Sequence, residues 1–156
     1  MSAGGLGTYL NDHLAGSVMA LEMIERSIGQ HPGTPLSADL TWVAAEIREE
    51  QKVLRELLEG LDVKESPVKK AGAWLAEKAG RLKLGDMAED PLGRLEMLEA
   101  LSLGIQGKLK LWMALEQVMA RRAALAGVDF RRLQARAREQ HDRVEAYRLE
   151  AAGEAL

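Results

Sequence analysis

The chain reads as one all-α domain over residues 1–156, a bundle of four long helices. Three observations predict the helical class. Apolar residues recur every third or fourth position through four long stretches, the period of one helix face. Leu, Ala, Glu, Arg and Lys dominate a chain with only 4 prolines, a mixture of good helix formers. No stretch alternates apolar and polar residues as a half-buried strand does. With 156 residues and 47% hydrophobic content the chain can bury a sizeable core, built mainly from Leu, Ala, Met, Ile and Val.

The first helix is expected from about Leu6 or Thr8 to Ile28. Leu6, Leu10, Leu14, Ser17, Leu21, Ile24 and Ile28 share its face. His13 flanks that stripe, Ser17 lies near its centre, and Asp12 and Glu22 point away. The segment GQHPGTP ends it. Ser37 is read as the N-cap of a second helix, Leu40–Gly60. Its stripe is Leu40, Val43, Ala44, Ile47, Gln51, Leu54, Leu58 and Leu61, with Glu50 on the shoulder. A shorter helix is read over Pro67–Leu82, with Pro67 at its first position. The third long helix starts near Pro91 and runs to about Arg122 or Leu125. Leu95, Leu98, Leu101, Ile105, Leu109, Trp112, Met113 and Met119 form its band, and Glu116 sits near the middle. The last begins at Phe130, with Asp129 as a cap, and carries Leu133, Ala137, Val144 and Ala151. Gln140, His141 and Arg148 fall within or beside that stripe.

Short loops join the first helix to the second and the third to the fourth, which makes two antiparallel hairpins. About 30 residues separate the hairpins. A 24-residue helix is ~36 Å long, and a connector of that length with one short helix can return along it. The second and third long helices would then run parallel, the arrangement of bundles with one long crossover.

The stretch Tyr9–Glu22, EIREEQ at 46–51, KKAGAWLAEKAGRLKL at 69–84 and LEMLEALSLGIQGK at 95–108 resemble a bacterial group of ferritin-like proteins of undefined function. The resemblance covers most of the chain and implies the ferritin-like fold, but no activity. Ferritin-like di-iron proteins carry a Glu on two helices and Glu-x-x-His on the other two. This chain has no Glu-x-x-His, so that site is not carried over.

Another set is legible. Helical phase and helix direction bring His13, Glu50, Glu116 and His141, one from each long helix, to within a turn or so of one level. Imidazole and carboxylate suit iron, manganese or zinc. The same groups can relay a proton, or simply satisfy one another as a buried hydrogen-bonded network. No cofactor is expected beyond such a divalent metal.

Net charge is −3 and pI about 5.7, unlike a general nucleic-acid binder. The absence of cysteine excludes disulfides and thiolate chemistry. MSAGGLG lacks the basic start and apolar run of a signal peptide, and no apolar run approaches the ~18 residues of a membrane span. The expected location is the cytoplasm. Trp42, opposite its helix's main stripe, is read as a homodimer contact or a site under the crossover. Gly16, Gly72, Gly80, Gly104 and Gly107 fall inside helices, where each costs ~1 kcal/mol relative to Ala. Close helix approach is their expected role. Two functions follow. One is a non-enzymatic bundle acting through surface or dimer contacts. The other is a divergent metal-binding or oxidoreductase-like protein using the His/Glu set. A third option is an adaptor docking an anionic partner on the basic segment at 64–83.

Overall fold

The structure, a computed structural model, describes residues 3–66 and 90–156. Four long helices pack together: α1 (Ala3–Gln30), α2 (Pro35–Gly60), α3 (Pro91–Val118) and α4 (Phe130–Ala155). The helix expected over Pro67–Leu82, with Gly72, Gly80 and most of the basic segment, lies outside the described residues.

Local chemistry sets the ends. Thr34, not Ser37, caps α2: its extended backbone precedes Pro35, and its Oγ1 accepts the Ser37 N–H at 3.1 Å. The helix therefore begins a turn and a half earlier than the stripe alone suggests, and Ser37 is buried within it. Asp90 and Asp129 cap α3 and α4, their Oδ1 atoms accepting from Leu92 N and Arg132 N. The third helix stops at Val118, short of Arg122. Two 3-10 turns follow, Met119–Arg121 and Ala123–Leu125, with Arg122 extended between them. This break lets Leu125 fold back and become fully buried, and Gly127 completes the turn at φ +84.

The core has two apolar layers. One gathers Ile24 of α1, Leu40 and Ile47 of α2, Leu98 and Leu101 of α3, and Val144 and Ala151 of α4. The other gathers Leu10 and Leu14, Leu54 and Leu58, Leu111 and Trp112, then Phe130 and Ala137. The first layer thus holds the end of α1, the start of α2, the start of α3 and the end of α4. Helices α1 and α4 run one way, α2 and α3 the other, as the crossover topology requires. Gly60 and Pro91 lie at opposite ends of the bundle.

The seams are unequal. Within each hairpin the helices pack closely, most of all α3 on α4, while α1–α3 and α2–α4 touch sparsely. Polar side chains fill the α2–α4 seam. Arg136 grips Glu46 with two hydrogen bonds, Nε to Oε2 at 2.7 Å and Nη2 to Oε1 at 2.5 Å. Arg143 pairs with Asp39 at 2.9 Å, and the Tyr147 hydroxyl donates to the same carboxylate at 2.7 Å. The hydrogen bond to Asp39, with burial and the Asp39 charge behind it, holds the Tyr147 proton and pushes its pKa up to about 12. Trp42 belongs to this seam. The Arg143 guanidinium lies 4.0 Å from its ring centroid and that of Arg136 5.2 Å. Its place outside the main stripe is explained by arginines of α4, within one chain.

Candidate functional site

Between the two apolar layers lies a polar level. Each helix carries polar residues there because polar side chains replace apolar ones at stripe positions. Ser17 follows Leu14 on α1. Glu50 and Gln51 fall between Ile47 and Leu54, Lys108 between Ile105 and Leu111, and Gln140 between Ala137 and Val144. Glu50 and Gln51 are each 5% exposed and Gln140 is fully buried.

These groups satisfy one another in two sets. Lys108 Nζ stands 2.5 Å from Glu50 Oε2 and donates to Gln140 Oε1, while Gln140 Nε2 donates to Glu50 Oε1 at 3.0 Å. The Lys108–Glu50 contact is a charge pair more than a directed hydrogen bond, since among the described residues Oε2 has no well-aligned donor. Burial pulls the Lys108 pKa below its usual 10.5, and the Glu50 charge opposes the shift. In the second set Gln51 Nε2 donates to Ser17 Oγ at 2.8 Å, and that hydroxyl donates to the Leu14 carbonyl at 2.6 Å.

On the α1–α3 side the polar level opens into a cavity of about 480 Å³, within the size range of ligand pockets. Its floor includes Glu50, Gln51 and Lys108, and its walls are largely apolar. Trp112 lines it, fully buried, and the indole N–H has no hydrogen-bond partner among the described residues. Gly16 of α1 and Gly104 and Gly107 of α3 also line it, and a Cβ on any of them would meet nothing within 4 Å. Close helix approach, the role expected from sequence, is therefore not theirs. They border open space.

His13 lines the same cavity, its ring edge-on to Tyr9 with centroids 4.8 Å apart. Burial lowers its pKa below 6.5, with Asp12 pulling the other way. Well above pH 6.5 the imidazole is neutral whether the chain is folded or not. As pH falls below 6.5 the unfolded chain takes up this proton first, so stability drains until the folded-state value is passed. Urea unfolding from pH 7 to pH 5 is expected to show a steeper loss in the parent protein than in His13→Gln. Parallel curves would mean His13 is solvated.

The four-residue set read from sequence does not converge. His13 and Glu50 share the cavity. Glu116 lies on the α3–α4 seam, accepting from Gln134 Nε2 at 2.6 Å and pairing with Arg131 at 2.9 Å, and both lower its pKa. His141 sits beside Asp142, Nδ1 to Oδ1 3.4 Å, and its field reaches Glu145. Neither lines the cavity. Lys108 and Gln140 stand where the sequence reading put Glu116 and His141. Among the described residues no three His, Cys, Asp or Glu side chains group to hold a metal ion. A cation at Glu50 would also face the Lys108 ammonium, so these residues do not fit iron, manganese or zinc.

The chain matches no family model, no curated protein and no solved structure in these comparisons. No helix among the described residues is long and apolar enough to cross a membrane.

Proposed function

We propose that this protein is a non-enzymatic, ferritin-like bundle that holds a small, largely apolar molecule in the cavity between α1, α2 and α3. The fold assignment rests on the helix directions and on the sequence resemblance. One observation carries the function: the half-buried Gly16 and Gly107, with the exposed Gly104, border a cavity of about 480 Å³, and among the described residues a Cβ on any of them would meet no neighbour. Helix-interior glycine costs ~1 kcal/mol relative to alanine. Here no described neighbour offsets that penalty by closer packing, and the glycines leave this part of the cavity wall without side chains.

Substitution should move stability and binding in opposite directions. Gly104→Ala is expected to raise stability by ~1 kcal/mol, a melting temperature higher by about 2–4 °C. Gly104→Leu and Gly107→Leu place a side chain in the cavity and should abolish calorimetric binding of 1-octanol while leaving the fold intact. Octanol binding that survives both leucine variants, or is missing from the parent protein, would overturn the proposal.

A further inference from the structure

The cavity has a polar floor. Its deepest polar groups are Glu50, Gln51 and Lys108, whereas Tyr9, Asp12 and Leu103 on its lining are exposed. A molecule entering tail first would press hydrocarbon against the buried ion pair and leave the floor's polar groups without a match. Entry head first matches polar to polar at the floor and keeps the tail against the largely apolar walls. The Trp112 indole N–H, buried in the lining and without a partner among the described residues, is a donor such a head can use.

The charge at the floor is already cancelled, Lys108 against Glu50 at 2.5 Å. His13 is neutral at pH 7 because burial disfavours its cation. Asp12, the remaining acid on the lining, is exposed to solvent. A charged head would have to displace one member of the ion pair or be buried without a partner, and both are strongly unfavourable. We infer that the ligand is an uncharged amphiphile, such as an alcohol, bound head-inward against the Glu50–Lys108 pair; this rests on the cavity being a ligand site, as proposed above.

The test compares three molecules that share an octyl tail and differ only in the head: 1-octanol, nonanoate and octylammonium, titrated at pH 7 below octanol's solubility limit and the ions' micellar concentrations. On the parent protein octanol is expected to bind about tenfold or more tighter than either ion. Lys108→Met removes the floor's cation and leaves Glu50 to be matched. Octylammonium should then bind this variant about tenfold or more tighter than it binds the parent, and raise its melting temperature, because its head supplies the missing charge. An ion that binds the parent as well as octanol does would overturn the inference, as would unchanged octylammonium affinity in a folded Lys108→Met. If that variant does not fold, the parent ranking decides alone. Failure of all three to bind would sink the ligand-site reading itself, a different result from a wrong ranking.

Discussion

Lys108→Met is expected to lower the free energy of unfolding by about 3–5 kcal/mol at pH 7, read by urea denaturation. Methionine has nearly the reach of lysine and keeps the helix, so the loss isolates the charge. What remains is the Glu50 carboxylate, 5% exposed, with the Gln140 amide as its one side-chain donor among the described residues. An uncompensated buried charge is far more costly than the pair it came from. Lys108→Met/Glu50→Leu should therefore recover most of the loss, because a buried ion pair replaced by well-packed apolar groups is often neutral or stabilising. The pair's coupling energy comes from the full double-mutant cycle. A loss under about 1 kcal/mol in the single variant would show that water in the cavity solvates Glu50.

The same residue has a signature at high pH. Burial holds the folded Lys108 pKa below 10.5, so between the two values the unfolded chain binds more protons and stability rises with pH. Tyr147 works against this above pH 10, where its proton is retained only in the folded state. The difference between parent and Lys108→Met cancels the tyrosine contribution and should leave the lysine's rise visible.

The helices and their directions were legible because they depend on apolar period and loop length, both written locally in the chain. Leu10, Leu14, Ile24, Leu40, Ile47, Leu54, Leu98, Ile105 and Trp112 are all buried where the stripes put them. That each helix contributes polar groups at one level was legible too. Which groups was only half so. Lys108 lies on the stripe that runs Leu101, Ile105, Trp112 and Leu115, three residues after Ile105 and four before Trp112. Its phase points inward, but lysine is ordinarily solvated, so residue type argues against the place that the facing Glu50 and Gln140 make habitable. Glu116 was misjudged for the converse reason: a band as broad as that of α3 faces two neighbours, and its edge meets Arg131 and Gln134 rather than the centre. The cavity was not legible at all. Glycines within helices signal close approach or open space equally well, and only the separation of α1 from α3 decides between them.

Trp112→Ala is expected to cost about 3–5 kcal/mol, the range for a large aromatic removed from a core. The side chain is fully buried, its ring centroid 6.3 Å from that of Phe130 at 31°, and it packs with Leu111, Leu115 and Leu125 in the apolar layer below the polar level. It is also a wall of the cavity, so its removal extends that space into the core and leaves neighbours that cannot all collapse inward. Trp112→Phe separates packing from hydrogen bonding. Among the described residues the indole N–H has no partner, so phenylalanine loses volume but no bond there, and the loss should stay well below that of alanine. Octanol affinity, in contrast, should fall in Trp112→Phe if the N–H meets the ligand's head. Chemical denaturation of the two variants, with and without octanol, measures both effects. Equal destabilisation by phenylalanine and alanine would show that the N–H is already bonded in the free protein, and would remove it from the binding site.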